Sequence, residues 1–355
     1  LDVPVVMTYH TKFDIDIANA VQGKLVQAEM IRMLVKNIDA CDEVWTVSRG
    51  AGENLSKLGY SGPYRVMPNG VDFPQGRVEK TLIDQVTEDF DLPEGVPVFL
   101  FVGRMMWYKG LRIILDALKE LDEAGLEYRM VFVGAGNDKT EVADYTRSLG
   151  LEEKVLFSDA IRDRDRIRAW YCRADLFLFP STFDTNGLVV REAAACGLAS
   201  ILVAGSCAAE DVTDGENGFL IEENSSAMAA KLRELMNNPE TIRRVGECAQ
   251  NTIYISWESA VKNAYARYGE VIENYRLGRY PEHASLTDKS FSKISELMAL
   301  RSQQREREEA VRSELRSGYE EIYSSYQELW TDLKGELRKL EEQQEKIYRY
   351  MDRFL

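Results

Sequence analysis

Short apolar runs rich in β-branched and aromatic residues alternate with helix-period segments through about residue 255. The runs fall at 4–8, 43–47, 65–67, 98–102, 128–133, 155–158, 176–179, 200–203 and 218–221. Most are continuous and do not alternate, the pattern of strands buried on both faces of a parallel sheet. Helical patterns lie between them at 18–37, 50–58, 111–124, 139–149, 163–172, 189–196 and 227–237. Strand-helix alternation of this kind predicts a doubly wound α/β architecture. In such sheets ligands sit outside the carboxyl ends of the strands, so the loops that follow strands are where chemistry is sought.

The stretch 72–95 is polar, carries Pro74, Gly76, Pro93 and Gly95, and lacks a strong strand pattern, which marks a domain junction. About three strands precede it and about six follow, so an N-terminal Rossmann-like unit looks incomplete and a C-terminal one nearly full. The division expected is 1–75, 76–255, closing helices and linker over 256–284, and a coiled-coil helix over 285–355. Opening on an apolar strand with no initiator methionine, the chain is expected to lack an upstream segment. From Ser285 onward Glu, Arg, Lys, Gln and Leu dominate. Leu315, Tyr319, Ile322, Tyr326, Leu329 and Leu333 step by alternating four and three, a heptad seam. The seam predicts self-association into a homodimer. A helix folded back on the body, or one lying on a lipid interface, is the alternative.

A formal charge of -15 over 355 residues argues against nucleic acid as a partner. Five scattered cysteines without a CxxC pair read as reduced core thiols of a cytosolic protein. Two histidines, His10 and His283, are too few and too far apart for a histidine metal site. No apolar run reaches the roughly 18 residues that span a bilayer.

Two loops could carry chemistry. The run 99–110 is an apolar strand leading into Gly103-Arg104, with Lys109-Gly110 just before a helix. Two cations at a strand end beside a helix amino terminus suit a diphosphate, although a pair of surface cations at a turn reads equally well. In 176–197 a strand ends at Pro180-Ser181, and Asp184 and Glu192 stand eight positions apart around a helix start. Two carboxylates at different levels can take hydroxyls of one ligand, and Asn186, Gly187 and Leu188 offer free amides. The bland alternative makes Asp184 a helix cap and Glu192 a solvated helix residue.

Taken together, these elements resemble those of the glycosyltransferases of family 4 with the GT-B fold, from His10 to about residue 275. The family's G-R, K-G run matches Gly103, Arg104, Lys109 and Gly110. Its P-S, E-x7-E and A-x-G run matches Pro180, Ser181, the Asp184/Glu192 pair and Ala195 to Gly197. P-N-G-V-D appears at 68–72, V-G-x-G at Val133 to Gly136, and D-G-x-x-G-x-L at 214–220. The resemblance implies that Arg104 and Lys109 hold a donor diphosphate and Glu192 the ribose hydroxyls. Asp184 and the amides of Asn186, Gly187 and Leu188 would face the transferred sugar. Gly134, Gly136 and the loop near Ile161 would border the base, and His10 would reach over the donor sugar. Asp184 departs from the family's usual Glu, and Asp159 from an expected glycine.

The activity implied is retaining, metal-independent transfer from a nucleotide sugar such as UDP-glucose or GDP-mannose, with no cofactor. Tyr9-His10-Thr11 resembles the opening of bacterial diacylglycerol glucosyltransferases, which implies a lipid acceptor at the inner membrane face; a saccharide acceptor is the rival. From another class, a non-catalytic transferase-like scaffold presenting its coiled coil remains the alternative.

Overall fold

The structure, a computed structural model, describes residues 3–281 and, beyond them, Lys334, Gly335 and Arg338. The heptad segment expected over 285–355 lies outside the described residues apart from those three. In chain order the first elements are β1 (Val6–Tyr9), α1 (Phe13–Ala20), α2 (Lys24–Asp39), β2 (Glu43–Thr46), α3 (Arg49–Lys57) and β3 (Arg65–Val66). The three strands make a parallel sheet in sequence order. After α4 (Lys80–Thr87) come β4 (Val98–Val102), α5 (Leu111–Glu123), β5 (Arg129–Val133), α6 (Lys139–Ser148), β6 (Val155–Ser158) and α7 (Arg164–Arg173). They continue with β7 (Leu176–Phe179), α8 (Leu188–Ala195), β8 (Ser200–Val203), β9 (Phe219–Ile221), α9 (Ser225–Met236), α10 (Pro239–Thr252) and α11 (Trp257–Arg276). The six later strands form one parallel sheet in the order β6-β5-β4-β7-β8-β9. The strand order therefore reverses between β4 and β7.

Continuous apolar sequence became continuous burial. Val98, Phe99, Leu100 and Phe101 are wholly shielded from solvent, as are Leu176, Phe177 and Leu178 beside them. Phenylalanine rings run across the sheet, with Phe101 5.7 Å from Phe132 and 6.0 Å from Phe179. Helix α5 lays Leu111, Ile114, Leu115, Leu118 and Leu121 on this layer, a stripe at helical spacing. Asp163 starts α7 by accepting from the Asp165 and Arg166 amides, and Asn224 starts α9 through the Ala227 amide.

One sequence expectation needs correction, and two helices were not expected. The single helix expected over 18–37 is two helices, broken where Gly23 takes φ 99°, a backbone conformation that glycine alone adopts without penalty. The junction 72–95 contains α4, whose Ile83 and Val86 are buried against α7; its one apolar face was hidden by the polar majority around it. Helix α10 also escaped, although Pro239 in its first turn is a start signal.

The chain crosses itself at Gly70-Val71. The Val71 amide donates to the Ile255 carbonyl at 2.9 Å and the Trp257 amide to the Val71 carbonyl at 3.0 Å. A Cβ on Gly70 would lie 2.4 Å from the Ser256 carbonyl oxygen, so only glycine permits the crossing. From there α11 returns to the first sheet, where Arg267 grips Glu43 through two nitrogens at 2.7 and 2.6 Å. The first sheet is thereby fixed to α11.

Candidate functional site

The reversal of strand order between β4 and β7 opens a crevice at their carboxyl ends, the place where open α/β sheets take ligands. Two loops fill its floor. After β4 the chain passes Gly103-Arg104 into a single tight turn, Trp107–Lys109, and Gly110 enters α5 at φ 78°. A Cβ on Gly110 would stand 2.5 Å from the Pro180 carbonyl oxygen, so the loops after β4 and β7 touch backbone to backbone. That contact puts Lys109 beneath Asp184. The Lys109 ammonium donates to Asp184 Oδ1 at 2.6 Å, and the Ser181 hydroxyl to Asp184 Oδ2 at 2.6 Å. Ser181 is fully buried and the Lys109 side chain is 8% exposed. The rings of Tyr108, Phe179 and Phe183 lie 5.6–6.0 Å from the ammonium and shield it further. A charge this enclosed needs its partner or a replacement anion.

Arg104, by contrast, is exposed and makes no hydrogen bond or ion pair among the described residues. Beside it, the loop after β5 presses into the loop after β4. A Cβ on Gly134 would fall 1.9 Å from the Gly103 carbonyl oxygen, and one on Gly136 2.3 Å from that of Met105. Both glycines are thus required by backbone approach. Ile161, half-buried, follows β6, where Asp159 pairs with Lys139 at 2.6 Å, an ion pair that holds its carboxyl below the usual range.

Gly187 precedes α8 in the left-handed conformation, φ 58°, with no side chain capping the helix. The reading of Asp184 as a cap is therefore excluded, and the first amides of α8 are left open toward the crevice. Asn186 adds a buried Nδ2 without a hydrogen-bond partner, and Leu188 is exposed. One turn into α8, Glu192 accepts from the Tyr171 hydroxyl at 2.9 Å and lies 3.6 Å from an Arg164 nitrogen. Burial raises its carboxyl above the usual value, while Tyr171 and Arg164 oppose the shift. Glu192 is accordingly not a solvated surface residue. The same burial and the Glu192 charge push the Tyr171 phenol well up.

His10 directly follows β1 and is exposed. Its carbonyl, not its imidazole, accepts from the Thr185 hydroxyl at 2.7 Å, and Lys12 donates to the Thr182 carbonyl at 3.2 Å. The β1 end thus abuts the loop after β7, bringing His10, Lys109 and Asp184 to one crevice. Ser181, Tyr171, Arg164, Thr185 and Lys12 were not among the expected site residues. Ser181 was legible within its motif; the other four sit in no linear pattern. Among the described residues no group of three or more His, Cys, Asp or Glu side chains is arranged to hold a metal ion, and no helix is long and apolar enough to cross a membrane.

Residues 83–252 match the family model described as glycosyl transferases group 1. The D-inositol 3-phosphate glycosyltransferase of Xylanimonas cellulosilytica is 29% identical over 62% of this chain and 55% of its own length. The alpha-monoglucosyldiacylglycerol synthase of Streptococcus pneumoniae is 24% identical over 68% of this chain and 55% of its own. The chain therefore spans about half the length of these curated relatives. Among solved structures, Anabaena HepE in complex with UDP-glucose superposes with a TM-score of 0.63 at 20% identity, covering 75% of this chain and 72% of that one. Sucrose-phosphate synthase of Thermosynechococcus elongatus gives 0.63 at 21% identity, covering 75% and 67%. These likenesses carry the fold.

Proposed function

We propose, from the premise that residues 83–252 are a group 1 glycosyl transferase domain on the GT-B fold, that this chain is the donor-binding part of a retaining glycosyltransferase. Residues 76–255 take the nucleotide sugar, and residues 1–75 belong to the acceptor side. The observation that carries this reading is the Lys109–Asp184–Ser181 network at the strand reversal, with the unpaired Arg104 beside it. An enclosed ammonium and a free guanidinium at open helix amides make a seat for a diphosphate. In this reading Glu192, held by Tyr171, accepts the ribose hydroxyls, and the loops at Gly134, Gly136 and Ile161 border the base.

In the reaction the bond from anomeric carbon to phosphate oxygen breaks, and Arg104 and Lys109 stabilise the charge that builds on the departing diphosphate without a metal ion. Asp184 is engaged by Lys109 and Ser181 and, among the described residues, does not stand free as a covalent nucleophile. Substitution on the same face follows: the acceptor oxygen bonds to the anomeric carbon while its proton passes to the leaving phosphate. His10 lies over the donor sugar from the β1 side. A lipid acceptor at the inner membrane face fits the similarity to the diacylglycerol-acting relative, and a saccharide acceptor is its rival. Self-association through the heptad segment belongs to the same proposal.

Calorimetry with UDP-glucose and GDP-mannose in chelator tests the seat, and NMR of the product's anomeric centre tests retention. Binding without metal and an unchanged anomeric configuration are expected. A strict magnesium requirement, or no binding of either donor, overturns the reading. Donor binding with no transfer or hydrolysis, in a chain extended upstream, would leave the scaffold alternative standing.

A further inference from the structure

Glu210 ties the first sheet to the second, with Asp211 4.0 Å from Arg49 beside it, and the roles proposed above do not use it. Glu210 follows the one-turn helix Cys207–Ala209 beyond β8. Its oxygens accept the backbone N–H groups of Arg49, at 2.7 Å, and of Gly50, the first two residues of α3. Arg49 returns the contact, donating from Nη2 to the Glu210 carbonyl at 2.8 Å. Ser48, the cap of α3, serves only the Ala51 amide at 3.0 Å, so the preceding amides are satisfied from the other sheet. A negative charge at this end also meets the favourable end of the helix dipole.

Gly50 shows how close the layers come. A Cβ built there would lie 2.6 Å from Cys207 Sγ and 2.8 Å from Glu210 Oε1. A cavity of about 160 Å³ lies beside this contact, lined by Ser48, Arg49 and Glu210 together with Asn186 and Gly187 at the amino end of α8. Beyond it the His10 carbonyl takes its hydrogen bond from Thr185. The Glu210 contact and the His10 contact are thus two ends of one seam. The Glu210 carboxylate takes two charge-assisted hydrogen bonds from backbone amides, and the His10 end has one, from the Lys12 ammonium to the Thr182 carbonyl at 3.2 Å.

We propose that Glu210 is a positioning residue: by capping α3 from the second sheet it holds the layer that bears His10 against the loop after β7. This rests on the donor seat proposed above only for its consequence in transfer; the contact itself can be tested without activity. Two acceptor oxygens for two amides require a carboxylate, and an amide side chain supplies one.

Alkylation of Cys207, followed peptide by peptide by mass spectrometry, reads the closeness of the layers. Glu210→Ala should speed it at least tenfold and Glu210→Gln by less. In a transfer assay Glu210→Ala should lower kcat at saturating donor, while nucleotide affinity by calorimetry stays within twofold, which also shows the second sheet intact. The variant Glu210→Ala/Gly50→Cys supplies the rescue. Its new Cβ would stand 3.6 Å from that of Cys207, inside the disulfide range of about 3.5–4.5 Å. Diamide, reduced to its hydrazine, takes two electrons and two protons from the thiols as the S–S bond forms. Oxidation should restore kcat and added dithiol abolish it again. Unchanged alkylation in Glu210→Ala, faster alkylation with unchanged kcat, or a cross-link that restores nothing overturns the proposal. If the unaltered chain binds no nucleotide, the donor seat falls, and the alkylation arm alone decides the role of Glu210.

Discussion

Removing the Asp184 carboxylate strands the Lys109 ammonium. The lysine side chain is 8% exposed, and Asp184 is its hydrogen-bond partner among the described residues. Breaking a buried ion pair by deleting one member costs about 3–5 kcal/mol, because the other charge stays desolvated. Two features reduce that here. Asp184 is itself 23% exposed, so water reaches the vacated space, and three aromatic faces lie 5.6–6.0 Å from the ammonium, a contact class that returns about 0.5–2 kcal/mol. The buried Ser181 hydroxyl loses its acceptor as well, adding about 1 kcal/mol. Asp184→Ala should therefore lose about 2–4 kcal/mol in urea unfolding. Lys109→Met/Asp184→Ala deletes both charges and should be more stable than Asp184→Ala, a non-additivity of about 2 kcal/mol. A nucleoside diphosphate offers the stranded lysine a new anion, so it should raise the melting temperature of Asp184→Ala more than that of the unaltered chain. Additive single effects, or a ligand shift no larger in Asp184→Ala, would refute both the enclosure of Lys109 and its place in a phosphate seat.

Glu192→Gln removes a carboxyl whose folded-state value burial raises; a raised acid is most favourable to folding below its unfolded value and less so as pH climbs through the folded one. The variant should then be more stable than its parent at pH 7, the gap closing toward pH 4 in parallel urea titrations, while calorimetry shows weaker binding of a ribonucleotide. Arg104→Ala touches no partner in the fold and should leave stability within about 0.5 kcal/mol, yet cost about 1–3 kcal/mol of diphosphate affinity; equal affinity would remove Arg104 from the seat. Gly134→Ala drives a methyl to 1.9 Å from the Gly103 carbonyl oxygen, and thermal melting should show a loss of several kcal/mol, beyond the usual ~0.5–3 of single substitutions.

The central strands of the second sheet were legible because they are buried on both faces, which leaves a continuous apolar run; 98–102, 176–179 and 200–203 emerge with the bounds expected, as does the half-buried edge strand 155–158. Helices α4 and α10 were harder, since each buries one narrow face, Ile83 and Val86 in one and Val245 and Ala249 in the other, within polar sequence. At the crevice the residue types were readable but their pairing was not. Lys109 and Asp184 are 75 positions apart and were given separate tasks, phosphate and sugar. Only the fold joins them, through the contact of Gly110 with Pro180. Asp184 also stands where the family that the sequence resembles usually has Glu, one methylene longer. Anchored at 2.6 Å to both Lys109 and Ser181, the shorter carboxylate is turned toward the lysine and the start of its own loop. In our reading, that substitution moves its task in this chain toward fixing the lysine that receives the diphosphate, and leaves sugar contacts to the amides at Asn186, Gly187 and Leu188.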